Sequence, residues 1–182
     1  KNLSSIVTTS AQSEQLLKKG GLFTTPLLEI SGTLDVYIDG ADEVDPRLNL
    51  IKGGGGALTS EKIVANNAKK FICIVDESKL VKKLGKFPLP VEVISSAVPS
   101  ISRIFSDDYN AIPREREGFT EHGNRIIDVA GLEIESPENL ERELNQIPGV
   151  VTVGLFGKLK PHSCLVGYDE EVKEIFKKDV TN

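Results

Sequence analysis

At 182 residues the chain is long enough to bury a core in one medium domain, or in one domain with a small second one. Its 39% hydrophobic and 27% charged residues exclude a disordered or low-complexity protein. A formal charge of −5 excludes a typical nucleic-acid binder, which needs clustered cations; the lysine pairs at 18–19, 69–70, 82–83 and 177–178 are interleaved with acids and read as solvated helix faces.

Both cysteines, Cys73 and Cys164, sit in strand-like apolar runs and read as buried free thiols of a reducing, cytoplasmic compartment. No apolar run approaches the roughly 18 residues of a membrane span, and no basic-then-apolar leader opens the sequence, so neither secretion nor membrane anchoring is expected. Methionine is absent, even at position 1, which points to a processed, cut or incompletely represented chain.

In chain order, a strand-like run at Ser5 to Thr8 precedes a polar helix from about Gln12 to Lys19 and a Gly20-Gly21 stop. Leu34 to Ile38 reads as a strand, a glycine-rich loop follows, and a helix from about Ser60 to Lys70 leads to a strand ending at Val75. Apolar runs alternating with helices predict a parallel sheet with crossover helices, and residues 1–85 read as a doubly wound α/β layer.

Beyond Gly85 the texture changes. Pro88 and Pro90 are expected to interrupt a central strand and to suit a domain entry or an edge. A strand at Val91 to Ile94, a helix from about Val98 to Phe105, strands near Ile112 to Glu115 and at Arg125 to Val129, a helix that starts at Ser136-Pro137-Glu138 and runs to Gln146, and a strand from Val150 to Leu155 follow. This β-α-β-β-α-β order predicts a ferredoxin-like α+β unit. The tail, Ser163 to Gly167 and then a helix near Glu170 to Lys178, returns to strand-then-helix and is expected to add a strand to the first sheet. The small unit, 86–155, is then inserted into a Rossmann-like domain formed by 1–85 and 156–182.

Candidate chemistry concentrates between Asp39 and Glu61. Asp39, Asp42 and Glu43 follow the carboxyl end of a parallel strand, where open α/β sheets bind ligands. Lys52 precedes four glycines, whose backbone N–H groups can approach a small anionic or hydroxylated ligand, and Glu61 falls in the first turn of the next helix. Taken singly, such a glutamate complements the helix dipole, such a glycine run connects, and such acids are solvated strand ends. Together they supply a carboxylate base, a second acid for hydroxyl protons and a cation for an oxyanion, the set that enolisation beside a carbonyl requires. His122 and His162 lack metal-ligand spacing and read as ordinary loop histidines; no metal or other cofactor is expected.

The runs Tyr37-Ile38-Asp39-Gly40-Ala41-Asp42-Glu43, Leu50-Ile51-Lys52-Gly53-Gly54-Gly55 and Glu61-Lys62-Ile63 resemble A-type ribose-5-phosphate isomerases, as do Phe71 to Lys79, Leu84 to Val93 and Pro148 to Phe156. The resemblance implies a metal-independent interconversion of ribose 5-phosphate and ribulose 5-phosphate in the non-oxidative pentose phosphate pathway. It implies Glu61 as the base between C1 and C2, Asp39 as the acid for ring opening and hydroxyl proton exchange, and Lys52 as stabiliser of the enediolate. Gly40, Ala41, Asp42, Gly53, Gly54, Gly55 and Lys79 would contact substrate. It further implies that the ferredoxin-like unit is a lid and that the protein is a homodimer or homotetramer. Members open with a helix, a strand and a phosphate-gripping turn that have no counterpart before Lys1. A sugar-phosphate sensor without catalysis is the main alternative, and a CoA transferase with a glutamate nucleophile is a third.

Overall fold

The computed structural model describes residues 3–176. Helix α1 (Ala11–Lys19) is capped by Ser10, whose hydroxyl accepts from Ser13 N at 3.2 Å. The expected strand at Ser5 to Thr8 does not form; one backbone bond, Thr25 N to Ile6 O at 2.7 Å, anchors that stretch. Strand β1 (Tyr37–Asp39) leads into a hairpin of β2 (Glu43–Val44) and β3 (Leu50–Ile51) that the apolar patterning does not predict. Helix α2 (Leu58–Asn66) and strand β4 (Phe71–Asp76) follow close to expectation.

The ferredoxin-like run comprises β5 (Leu89–Val93), α3 (Val98–Asp107), β6 (Ile112–Glu115), β7 (Arg125–Ala130), α4 (Pro137–Leu144) and β8 (Val150–Val153). Its antiparallel sheet runs β6-β7-β5-β8. Pro90 thus lies in a central strand, contrary to expectation. Its carbonyl accepts from Gly154 N at 2.7 Å. The donor it lacks would point the same way, past the end of β8, so no ladder bond is lost.

The expected strand from Val150 to Leu155 breaks at Gly154, after which β9 (Leu155–Phe156) joins the small sheet β2-β3-β9. A Cβ at Gly154 would lie 2.2 Å from Lys52 O, so only glycine lets the two segments cross. Strand β10 (Ser163–Gly167) adds to β4 in parallel, as expected. The tail then turns back as β11 (Val172–Phe176), antiparallel to β10 rather than helical; positions 177 and 178 of the expected helix, and that lysine pair, lie outside the described residues. Glu170 and Glu171 open a tight return, with Tyr168 N bonded to Glu171 O at 2.8 Å, that favours a hairpin over a helix start.

The main sheet is therefore β1-β4-β10-β11, three parallel strands with an antiparallel edge, and the whole is a Rossmann-like α/β fold with an inserted ferredoxin-like unit. Two hydrophobic clusters underlie it. The small sheet joins them, because Ile51 and Leu155 pack in one and Leu50 and Phe156 in the other. Among the described residues no helix is long and apolar enough to cross a membrane. Cys73 and Cys164 are free and buried. Two of the lysine pairs are not on helix faces: Lys69 pairs with Asp35, and Lys83 with Glu133 and Glu135, from loops.

Candidate active site

The unforeseen hairpin assembles the site. Asp45, at its turn, accepts from Arg47 N at 2.9 Å and Asn49 N at 2.8 Å, reversing the chain so that β3 runs back beside the end of β1. Asp42 N then bonds Ile51 O at 2.8 Å, and the next residue, Lys52, is delivered under Gly40. An Asp-Pro-Arg-Leu-Asn turn between Val44 and the Leu50-Ile51 pair is the signal in the sequence for this hairpin.

The Lys52 ammonium is buried. It donates to Gly40 O, lies 3.2 Å from Asp39 Oδ2, and lies 3.4 Å from Glu61 Oε2. Asp39 is fully partnered: Oδ1 accepts from Gly40 N at 2.8 Å, and Oδ2 accepts from the Tyr37 hydroxyl. Sequence patterning does not single out Tyr37, although its i, i+2 relation to Asp39 on one strand places both on the same face. Burial first, and then the Asp39 charge, push the Tyr37 hydroxyl upward, so it stays a donor.

Glu61 differs. Its Oε2 is buried and has no hydrogen-bond partner, the contact with Lys52 being long and poorly aligned. Burial raises its pKa; the Lys52 charge opposes this, and the Asp39 charge adds to it. The two neighbouring carboxylates thus differ: both oxygens of Asp39 accept hydrogen bonds, whereas Glu61 is buried with one oxygen unpartnered and its pKa raised.

The glycine loop completes one wall. Gly53 has φ of 104°, and a Cβ there would lie 2.9 Å from Leu58 Cβ. Gly54 N donates to Asp42 Oδ2 at 2.8 Å, and a Cβ at Gly54 would meet Asp42 Oδ1 at 2.6 Å. The structure therefore brings together Asp39, Gly40, Lys52 and Glu61, with Asp42 and Gly54 alongside and the partly buried Ala41 between Gly40 and Asp42. Lys79 stands apart. It ends a one-turn helix, Glu77–Lys79, beyond the carboxyl end of β4, and bonds to none of these residues. Glu43, grouped with the acids by sequence, faces away and accepts from Gly85 N and Phe87 N at 2.8 and 2.6 Å. His162 Nδ1 accepts from Phe71 N at 3.0 Å and is structural, whereas His122 Nε2 lies 3.0 Å from Ser60 Oγ, beside Glu61.

A base able to take a proton from carbon, next to a fixed cation for the oxyanion that results, serves chemistry beside a carbonyl. The fold and this pairing fit an isomerase-class α/β enzyme. Residues 5–171 match the family model described as ribose 5-phosphate isomerase A (phosphoriboisomerase A). Over 172 residues the chain is 49% identical to the ribose-5-phosphate isomerase A of Leptothrix cholodnii, covering 93% of this chain and 77% of that one. It is 52% identical over 167 residues to that of Stenotrophomonas maltophilia, covering 91% and 77%.

Among solved structures, ribose 5 phosphate isomerase A from Neisseria gonorrhoeae superposes with a TM-score of 0.94 at 45% identity, over 98% of this chain and 80% of that one. A D-ribose-5-phosphate isomerase in complex with phospho-erythronic acid gives 0.88 at 42% identity, over 93% and 76%. The chain belongs to the ribose-5-phosphate isomerase A family.

Proposed function

We propose that the chain interconverts ribose 5-phosphate and ribulose 5-phosphate through an enediolate, without a metal, with Glu61 moving the proton between C2 and C1. In the aldose-to-ketose direction the Glu61 carboxylate takes the C2 proton and the electron pair moves toward the carbonyl oxygen. The Lys52 ammonium offsets the charge that develops there. Asp39, held by Tyr37 and Gly40, exchanges protons with the sugar hydroxyls and assists ring opening. The proton then returns from Glu61 to C1. Asp42 and the Gly53–Gly55 loop contact the substrate, and Lys79 supplies a further cation from the neighbouring strand end.

The observation that carries this reading is the buried Glu61 Oε2, left without a hydrogen bond 3.4 Å from Lys52. Buried carboxylates generally have their donors supplied, as Glu92 and Glu141 do. The test is ribulose 5-phosphate formation by the purified protein, with and without chelator. We expect full activity in chelator and a loss of about 10³-fold in kcat for Glu61→Gln. Binding of the sugar phosphate without turnover would favour a sensor instead.

Residues 1–85 with 156–182 form the catalytic domain in this reading, and 86–155 the inserted one. A homodimer or homotetramer in a reducing cytoplasm completes it, checked by sedimentation of the purified protein.

A further inference from the structure

We infer that Arg116, on the inserted unit, is a positioning residue for the isomerisation: it holds the glycine loop so that the Gly54 and Gly55 amides face the reacting side. Arg116 follows β6 directly and reaches across to the loop. Its Nη1 donates to Gly53 O and to Gly54 O, each at 3.1 Å. The rest of the guanidinium is fixed from behind, with Nε on Asp128 Oδ2 at 2.9 Å and Nη2 on Asp128 Oδ1 at 2.5 Å. A bidentate carboxylate pair of this kind sets the plane of the guanidinium as well as its place.

Peptide planarity carries the consequence. The described peptides are all trans, so each amide N–H points opposite to the carbonyl before it. Turning the Gly53 and Gly54 carbonyls toward Arg116 turns the N–H groups of Gly54 and Gly55 away from it. The first meets Asp42 Oδ2 at 2.8 Å. The second makes no hydrogen bond with a described residue and is left as a donor on the same side. Four glycines offer the loop many conformations, and Gly55 has open space where a side chain would stand. Within the loop the Gly53 carbonyl also accepts from Gly56 N at 2.9 Å, so the first peptide is held locally as well. The Gly54 carbonyl has no such local partner among the described residues and is held by an arginine more than 60 positions away, anchored on β7 through Asp128.

This rests on the reading of the glycine loop as a substrate contact, and the experiment separates the two. Arg116→Ala and Arg116→Lys are compared with wild type by amide exchange at Gly54, by kcat and KM, and by thermal melting. We expect Gly54 exchange to quicken at least about ten-fold in both variants while β4 amides are unchanged. KM should rise about ten-fold with a smaller change in kcat, because charge-assisted bonds to two carbonyls are lost and a lysine cannot span carbonyls and carboxylate together. Asp128→Asn, which keeps Arg116 but loosens its plane, should give a weaker form of the same pattern.

A purely structural arginine would lower the melting temperature and leave KM of the folded protein unchanged. Unchanged KM, or unchanged Gly54 exchange in a folded Arg116→Ala protein, overturns the inference. Should wild type itself fail to isomerise, the proposed function falls, and the exchange result alone decides the role of Arg116.

Discussion

Helix α2 has two faces, and buried carboxylates near them are treated in opposite ways. On the face toward the inserted unit, Lys62 donates to Glu141 Oε1 at 2.7 Å and to the carbonyls of Val153 and Leu155 at 2.8 and 2.7 Å. Glu141 Oε2 accepts from Gly157 N and Lys158 N, both at 2.9 Å. Glu92, fully buried, accepts from the hydroxyls of Thr59 and Thr120 and from the Asn124 amide. Glu61, on the other face, has a long contact with one lysine and an oxygen with no hydrogen bond. An unsatisfied buried acceptor costs stability, so Glu61 weakens the fold where Glu92 and Glu141 support it, and under the proposed function that cost is kept for chemistry.

The contrast also bears on the inserted unit as a lid. Thr59, Ser60 and Lys62, which flank Glu61, all bond to residues of that unit. These contacts make it a brace for α2. The groove of about 600 Å³ on the Thr59 and Lys62 side of α2 is lined by no carboxylate.

The sharpest way to break the comparison is to exchange the consequences. Glu61→Gln should reduce kcat by about 10³-fold with the fold intact. A variant that stays active would return Glu61 to the structural class. Next in size, Lys62→Met leaves Glu141 buried without its cation and should cost about 3–5 kcal/mol in denaturant unfolding. In the protein that remains folded, kcat should change far less than in Glu61→Gln. Lys62→Met with Glu141→Gln together should recover part of the lost stability, because no unpaired charge is then buried. If the double variant is no better than the single one, the pair is not what holds α2 to α4.

Much of this is legible in the sequence because periodic and local signals carry it. The ferredoxin-like order, the strand at Ser163 to Gly167 and the cluster Asp39, Lys52 and Glu61 all follow from such signals. The failures are non-local or involve two-residue strands. The β2–β3 hairpin has too few residues for an apolar alternation, and the tail strand β11 reads as a helix because its acids and lysines suit either state. Pro90 reads as an edge residue because its missing donor matters only where a neighbour would accept it, which depends on where β8 ends. Arg116 and Tyr37 escape for different reasons. One acts across more than sixty positions, and the other reads as an ordinary core aromatic.

The smallest effect is the most discriminating. Burial raises the Glu61 pKa above its ordinary value of 4.5, so the folded state holds that proton more tightly than the unfolded chain. The stability this preference gives is present at low pH and is lost as pH rises from about 4.5 through the raised value. Above that window the ionised carboxylate is a net burden, about 1.4 kcal/mol for every ten-fold by which folding tightens its hold on the proton. Glu61→Gln should therefore melt about 2–4 °C above wild type at pH 8 for each kcal/mol so relieved, and the gain should vanish near pH 4. Activity of the wild type should fall as pH drops through the same window, because only the carboxylate can take a proton from carbon. A Gln variant that melts lower at pH 8 would mean that the Lys52 contact outweighs burial. Glu61 would then stand with Glu92 and Glu141, as a carboxylate whose partners offset the cost of its place in the core.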